Sequence, residues 1–462
     1  SLCYQLPALA RDGLTIVVSP LIALMKDQVD ALQAAGAPAT FLNSTLDAEE
    51  SRRRIGGLHR GEYKLLYIAP ERLMLSGTQE MLENWKPQCI AIDEAHCISE
   101  WGHDFRPEYR QIADLRHRFG QIPMMALTAT ATDRVREDIA SQLRLQEPAR
   151  FIASFNRPNL QYRVTPRRSA LRQVLEVIGK HDGESGIVYC NSRNGTERLA
   201  ARLKENGVAA APYHAGMDAA ARSRNQEAFI RDDLQVICAT IAFGMGIDKP
   251  DVRFVIHQDL PKNLEGYYQE TGRAGRDGLS ADCVLLFNAS DVTKQTGFIE
   301  EKDDEHERAV ARQLLQQMVH YAESRHCRRR VLLDYFSESF EEENCGACDN
   351  CLEPKENFDG TEAAQKLLAC IYRVHEHGGF NVGLNHIVDI LCGADNEKIR
   401  RWGHEQLSTY NIGSEFGRDE WKVIARELVR LELAHQTPGQ MSVIELTDAG
   451  LEWLRNRDRP SL

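Results

Sequence analysis

The run Asp93-Glu94-Ala95-His96-Cys97-Ile98-Ser99-Glu100-Trp101-Gly102-His103-Asp104-Phe105-Arg106-Pro107 concentrates side chains that act on phosphates and on bases. Its acids follow Cys89-Ile90-Ala91-Ile92, an apolar stretch short enough for a buried parallel strand. Two carboxylates at the C-terminal end of such a strand lie at the crevice where α/β sheets take their ligands. One acid there can hold Mg²⁺ on a nucleotide, and the next can orient a water for attack on the γ-phosphate. A few residues on come Trp101, His103, Phe105 and Arg106. Aromatic rings and a guanidinium stack on unpaired bases and hold a phosphate backbone. One short segment thus joins nucleotide chemistry to single-strand contact, the combination a nucleic-acid motor needs.

Two bland alternatives compete with that reading. An acidic pair after a strand can be only a helix N-cap, and Trp101 and Phe105 at a four-residue spacing could be the buried face of one helix. Gly102 and Pro107 interrupt helix propensity, and Glu100, His103, Asp104 and Arg106 are interspersed with the apolar residues, which favours a functional loop.

A second phosphate-handling run is Gln269-Glu270-Thr271-Gly272-Arg273-Ala274-Gly275-Arg276-Asp277-Gly278. Arginines at i and i+3 share one helical face, and glycines let a phosphate approach closely. Charge developing on a transferring phosphoryl group calls for such a cation, an arginine finger. Placed in a second domain, it makes hydrolysis depend on closure of a cleft. The bland alternative is a solvated helix end with a C-cap glycine.

These groups need strands and helices to aim them. Leu14–Ser19, Lys64–Ile68 and Met125–Thr128 read as strands, with a helical pattern from Leu21 to about Leu32. Phe155–Asn159 reads as a linker. A second set of strands follows at Gly186–Cys190, Ala209–Tyr213, Gln235–Ala239, Val252–His257 and Cys283–Phe287. Strands alternating with helices predict parallel sheets covered on both faces, here as two α/β domains with a cleft between them.

After Phe287 the pattern changes. A helical stretch from Asp304 to Ala322 leads to Cys327 and then to Cys345-Gly346-Ala347-Cys348-Asp349-Asn350-Cys351. Four thiolates so spaced can surround one tetrahedral Zn²⁺. An iron–sulfur cluster is the runner-up, and four unligated thiols the bland reading. Cys370 and Cys392 fall in apolar helical patterns and read as core residues. The end of the chain reads as helices over Thr361–Val374, Asn385–Leu391 and Asp419–Leu431, then a hairpin of Leu433–Gln436 and Met441–Leu446 about the turn Thr437-Pro438-Gly439-Gln440.

A chain of 462 residues, 42% hydrophobic and 27% charged, has material for several globular domains. No stretch approaches the roughly 20 apolar residues needed to cross a bilayer. Twelve cysteines, four clustered and the rest single, suit a reducing compartment rather than a disulfide scaffold. The net charge of −12 counts against nucleic-acid binding over the whole surface and restricts it to a local basic track. The densest basic cluster is Arg325 with Arg328, Arg329 and Arg330.

Taken in order, the motifs resemble those of the RecQ family of superfamily 2 DNA helicases, of the bacterial type. Ser1-Leu2-Cys3-Tyr4-Gln5-Leu6-Pro7 is similar to the end of that family's phosphate loop and the helix after it. Asp93 to Tyr109 resembles its D-E-x-H motif and aromatic-rich loop, and Ala126–Ala131 its coupling motif. Tyr189–Arg193, Tyr213–Gly216, Ala239–Pro250 and Gln269–Gly278 are similar to its second-domain motifs. The resemblance runs essentially end to end.

It implies an α/β fold class: two RecA-like parallel-sheet domains at 1–153 and 154–288, a helical zinc-binding subdomain at 289–355 and a winged-helix domain at 356–462. It implies ATP-driven unwinding with 3′ to 5′ translocation, in recombination, repair, fork processing or the SOS response. Ser1 would ligate Mg²⁺, Asp93 would hold it through water, and Glu94 would activate the attacking water. His96, Thr128 and Thr130 would couple nucleotide to DNA, Gln269 would join them, and Gly246 and Asp248 would lie at the nucleotide. Arg273 and Arg276 would meet the γ-phosphate, with Arg276 the finger. Trp101, His103, Phe105 and Arg106 would sense single strand, Asn191 and Thr240 would lie near its backbone, and His435 would sit by a wing that grips duplex. Cys327, Cys345, Cys348 and Cys351 would hold structural zinc.

The implied cofactors are Zn²⁺, Mg²⁺ and ATP. The implied partners are single-stranded and forked duplex DNA and a single-strand DNA-binding protein, for a cytoplasmic, nucleoid-associated monomer without a membrane. The family's phosphate loop places its glycines and lysine ahead of the position of Ser1, and its further C-terminal domain would follow Leu462. The expectation is that a polypeptide starting at Ser1 binds ATP poorly. The alternatives are a non-catalytic DNA-binding or annealing protein and an RNA-directed helicase, which would share the acidic and arginine motifs but not the aromatic loop with the four-cysteine module.

Overall fold

Five apolar runs of the first third form strands: β1 Thr15–Val18, β2 Ala39–Leu42, β3 Leu65–Ile68, β4 Cys89–Ile92 and β5 Met124–Ala126. In this computed structural model, which describes residues 1–102, 105–119, 122–243, 249–354, 359–437 and 443–456, they order as β2-β3-β1-β4-β5, every pair parallel. Successive side chains point to opposite faces. Ile16, Val18, Ile90 and Ile92 accordingly enter one core with Leu66 and Tyr109, while Val17, Ala91, Leu65 and Tyr67 enter another with Tyr4 and Met25. Winding reverses at β1, with β3 and β2 on one side and β4 and β5 on the other. The crevice at such a reversal is where open α/β sheets bind ligands, and Asp93 and Glu94 leave β4 there.

The second sheet comprises β6 Leu160–Pro166, β7 Gly186–Tyr189, β8 Ala210–Tyr213, β9 Val236–Ala239, β10 Phe254–His257 and β11 Ala281–Phe287. Its order is β6-β11-β10-β7-β9-β8, again all parallel. The sequence reading starts this domain's strands at Gly186, but β6 precedes it. As an edge strand β6 can end in Pro166, whose missing N–H would break a central ladder. β2, a four-residue edge strand behind Pro38, was likewise not among the expected strands.

The helices Glu305–Glu323 and Arg328–Tyr335 do not build a separate core. Met318, Tyr321, Cys327, Leu332 and Cys348 belong to the same buried cluster as Leu160, Val255 and Leu285 of the second sheet. Ser1–Pro354 thus forms one unit and Lys355–Leu462 a second.

In the second unit the helices Thr361–Gly378, Leu384–Leu391 and Arg418–Arg430 pack around fully buried Trp421, whose indole N–H donates to Gly413 O at 2.7 Å. The hairpin pairs β12 Ala434–Gln436 with β13 Ile444–Leu446 antiparallel, and Val382 adds a bridge to Ile444. Three helices and a hairpin are the expected winged-helix arrangement. Residues 438–442, most of the expected turn, lie outside the described residues. No helix of the described residues is long and apolar enough to cross a membrane.

Candidate functional site

Strand pairing fixes the acids. The Asp93 N–H donates to Val18 O at 2.8 Å, extending the β1–β4 ladder by one bond. Glu94 takes a left-handed φ of 48°, uncommon outside glycine, and turns the chain into the short helical turn Ala95–Ile98. Asp93 Oδ2 accepts from the Tyr4 hydroxyl at 3.1 Å, and Asp93 O accepts from the Tyr109 hydroxyl at 3.2 Å. Burial pushes the Asp93 carboxyl up, while the hydrogen bonds it accepts from the Tyr4 hydroxyl and the Glu94 N–H pull it down. A desolvated carboxylate at the end of β4 suits a hard divalent cation, and Asp93 fits Mg²⁺.

A chain of contacts leads from this turn to both neighbours. His96, 1% exposed, meets Thr128 Oγ1 through Nδ1 at 2.8 Å and Glu94 Oε2 at 3.4 Å. Thr128 Oγ1 donates to Thr130 O at 3.1 Å and accepts the Thr130 N–H at 3.2 Å. Thr130 Oγ1 then accepts from Gln269 Nε2 at 3.3 Å, and Gln269 stands in the helix Leu264–Thr271 of the second domain. On the other side, a Cβ at Gly102 would lie 2.4 Å from His96 O, so only glycine lets the aromatic loop fold down onto the turn.

The loop does not form one helix: a new helix begins at Pro107, after extended backbone. Half-buried Trp101 carries the Arg134 guanidinium 3.1 Å from its ring centroid and meets the His306 ring edge-on at 6.0 Å. Glu100 pairs with Arg110 at 2.9 Å and with His306 at 3.2 Å, and Arg110 lies 5.0 Å from the Phe105 ring. Arg106 donates to Pro20 O at 3.0 Å, tying the loop to the segment after β1. A cavity of about 290 Å³ opens between Phe105 and Lys262, Asn263 and Phe298. His103 lies outside the described residues.

The arginine motif corrects one expectation. The helix ends at Thr271, so Arg273 and Arg276 lie in the turns beyond it and share no helical face. Arg273 is 7% exposed and its charge bears on the buried Tyr189 hydroxyl, which burial pushes up and Arg273 pulls down. Arg276 is exposed. Asn191 donates its backbone N–H to Asp259 Oδ2 at 3.1 Å and its amide to Leu260 O at 3.2 Å; Thr240 is half-buried. His435 is exposed on β12 opposite Glu445. Gly246 and Asp248 lie outside the described residues.

Cys327, Cys345, Cys348 and Cys351 bring their sulfurs within 4.8 Å of one another. A tetrahedral zinc with Zn–S of ~2.3 Å sets its sulfurs about 3.8 Å apart, and Cys345 and Cys351 stand at 3.9 Å. Cys348 Sγ also accepts the Arg328 N–H at 3.4 Å, and the hydrogen bond from Cys348 holds Cys327 down as a thiolate. The set fits zinc. The nearby basic cluster is mostly structural: Arg328 pairs with Asp349 at 3.0 Å, Arg329 is 4% exposed, and Arg325 alone of the four is exposed.

Sequence models of four domain families match in succession: the DEAD/DEAH box helicase over residues 1–139, the helicase conserved C-terminal domain over 167–278, RecQ zinc-binding over 289–352 and the RQC domain over 354–462. The ATP-dependent DNA helicase RecQ of Haemophilus influenzae is 45% identical over 459 residues, covering 99% of this chain and 73% of that protein. The chain belongs to the RecQ family. The RecQ of Bacillus subtilis is 45% identical over 89% of this chain and 69% of that protein, and the RecQ-like DNA helicase BLM of Xenopus laevis 41% over 93% and 33%. Among solved structures, the DUF1998 helicase MrfA bound to DNA matches with a TM-score of 0.53 at 17% identity, over 74% of this chain and 53% of that one. Mss116p bound to single-stranded RNA and AMP-PNP gives 0.51 at 15%, over 70% and 76%. At such identities these two speak for the fold alone. Membership of the RecQ family settles the four-cysteine site as structural zinc rather than an iron–sulfur cluster.

Sequence reasoning named the acids, the rings and the thiols. It gave no site role to Tyr4, Tyr109, Arg134 or His306, of which Arg134 and His306 reach the site from other helices. Tyr4 and Tyr109 lie within runs that the sequence does single out, Ser1–Pro7 and Asp93–Tyr109, whereas nothing in the sequence marks Arg134 or His306.

Proposed function

We propose that this chain is the motor of an ATP-dependent DNA helicase that translocates 3′ to 5′ on a single strand and unwinds duplex in recombination, repair and fork processing. The observation that carries the reading is the unbroken series of contacts Gly102–His96–Thr128–Thr130–Gln269, which joins the aromatic loop, the acidic turn and the second domain. The relatives named as DNA helicases favour DNA over RNA as substrate.

In this reading Ser1 and Asp93 would hold Mg²⁺ and Glu94 would orient the attacking water. Mg²⁺, when bound, offsets negative charge on the β- and γ-phosphates. The exposed Arg276 is the finger that crosses from the second domain, and Arg273, buried in the same turn, is the second arginine for the γ-phosphate. A base arriving at Trp101 and Phe105 displaces the loop. Because Gly102 rests on the His96 carbonyl, that motion reaches His96, Thr128 and Thr130. Arg106, Asn191 and Thr240 line the strand's path, and the family resemblance assigns His103 to single-strand contact and Gly246 and Asp248 to the nucleotide. His435 contacts duplex at the wing. The four sequence domains at 1–153, 154–288, 289–355 and 356–462 divide this work. The setting carried over with the family resemblance is a cytoplasmic, nucleoid-associated monomer that meets a single-strand DNA-binding protein.

The test is the ATPase rate of the complete protein with and without single-stranded DNA. Glu94→Gln should abolish turnover while leaving DNA affinity within about threefold, since the base acts only on the chemical step. Unchanged turnover in that variant would refute the assignment.

A further inference from the structure

The segment joining the two α/β domains is gripped by arginines on both sides. Arg157, in this linker, donates from Nη1 to Gly272 O at 3.3 Å and from Nη2 to Ala274 O and Gly275 O, each at 3.0 Å. Those carbonyls belong to the turn that carries Arg276. Asn159 Nδ2 adds hydrogen bonds to Gly275 O and Leu279 O, both at 2.8 Å. Gly275 stands at φ +56°, and a Cβ there would lie 2.5 Å from Asn159 Nδ2, so the turn is moulded on the linker's side chains.

The linker is held in turn from the zinc region. Buried Arg329 donates to Asn156 Oδ1 at 2.5 Å, Arg157 O at 2.7 Å, Pro158 O at 3.4 Å and Leu160 O at 2.9 Å. The Phe155 ring stacks on Phe336 at 4.4 Å and 7°, and its N–H donates to Glu338 Oε2 at 2.6 Å. Arg329 and Phe336 belong to the helix Arg328–Tyr335 and its C-cap, and the N-cap of that helix is the zinc ligand Cys327. The helix backbone therefore carries the path from the cage to Arg329, and hydrogen bonds carry it on through the linker to the finger turn.

We infer that Arg157 is a positioning residue for Arg276, and that the zinc cage sets this position through Arg329. The inference rests on reading Arg276 as the finger. A guanidinium is a rigid fork that can brace several carbonyls at once, which the single point charge of lysine cannot. Its donors face backbone carbonyls rather than a phosphate, so Arg157 acts through the turn. A finger stabilises charge only in the transition state, and a displacement on the order of 1 Å is enough to cost ~100-fold in rate. Misplacing it lowers kcat and leaves ground-state binding intact.

The test uses the complete protein with its phosphate loop, as wild type and as Arg157→Lys, Asn159→Ala, Arg329→Lys and Arg276→Ala. The measurements are kcat and KM for ATP at saturating single strand, affinities for ADP and for ADP–aluminium fluoride, zinc content and thermal transition. Arg157→Lys and Arg329→Lys should each lower kcat at least about tenfold with KM within about twofold, and weaken ADP–aluminium fluoride without weakening ADP. Zinc should stay at one per chain. Asn159→Ala, which removes the second brace of the same turn, should show the same split to a smaller extent and serves if Arg157→Lys loses its thermal transition. Wild-type kcat in Arg157→Lys and Asn159→Ala, or equal losses for ADP and its fluoride complex, would overturn the inference. Full turnover by Arg276→Ala would instead refute the finger assignment, and the inference with it.

Discussion

Gln269 Nε2 donates to Thr130 Oγ1 at 3.3 Å, a hydrogen bond that spans the two α/β domains and ties the helix before the finger turn to the loop after β5. Thr130 is 1% exposed and its backbone is already bonded to Thr128, so any movement of Gln269 is felt at His96 one contact further on. Thr130→Val and Gln269→Ala should each reduce stimulation of ATPase by single strand. Because they break one bond, the double variant should cost no more than the worse single, with an interaction energy of at least about 0.5 kcal/mol. Strict additivity in the double-mutant cycle would contradict the coupling.

The Arg134 guanidinium lies over the Trp101 ring, with His306 edge-on beside it, so a base that stacks on that face displaces Arg134. Trp101→Ala and Phe105→Ala in the complete protein should spare basal ATP binding and remove most of the stimulation by single strand. Base–aromatic stacking is worth roughly 1–3 kcal/mol, and about 1.4 kcal/mol in a barrier is tenfold in rate. Arg276→Ala should behave oppositely, keeping DNA affinity while hydrolysis falls by orders of magnitude. Full stimulation in the aromatic variants would return both rings to a packing role.

Cysteine ligands contribute folding energy directly when zinc binds. Metal analysis should find one zinc per chain, lost in Cys348→Ala. The cage shares its core with β6, β10 and β11, so on chelation hydrogen-exchange protection should fall in those strands, while the helix Thr361–Gly378, which belongs to the other unit, keeps its own. Iron in place of zinc, or protection lost first in Thr361–Gly378, would contradict this.

His386 Nε2 and His404 Nδ1 lie at hydrogen-bond distance, 2.8 Å, in the second unit. Burial lowers both, His404 to about 4, where His386 and then His377 add to the shift and Glu405 opposes it; at His386, Asp389 opposes the shift and Lys398 adds to it. An unfolded histidine titrates near ~6.5. Between about pH 6.5 and His404's folded value, the unfolded chain takes up protons that the folded unit refuses. Stability is therefore full above about pH 6.5 and falls as pH drops through that window. The thermal transition of this unit should move down with acidification, and His404→Phe should flatten the dependence. A transition insensitive to pH in that range would show that the pair does not titrate.

The sequence makes groups legible where one short segment supplies both the element and the chemistry. Cys89–Ile92 is apolar enough to be read as a buried strand, so the placement of Asp93 and Glu94 follows from strand geometry. The cysteine spacing is equally local. The arginine pair is less so: Gly272 after Thr271 marks a helix end, and the i, i+3 reading overlooked it. β6 is also legible, since Leu160, Tyr162 and Val164 alternate with Gln161, Arg163 and Thr165, although it follows directly on the loop-like Phe155–Asn159 and ends in Pro166. The partners of Trp101 were not legible, because Arg134 and His306 reach it only through packing of distant helices. Nor was the use of Arg329, whose charge looked available for a polyanion and is bound to the linker's carbonyls.

The most direct measurement is strand displacement by the complete protein on duplexes with either a 3′ or a 5′ single-stranded tail, with and without ATP. The account predicts unwinding of the 3′-tailed duplex only, dependent on ATP, and lost in Glu94→Gln although that variant still binds the tail. Displacement without ATP, equal unwinding from both tails, or retained unwinding in Glu94→Gln would contradict it.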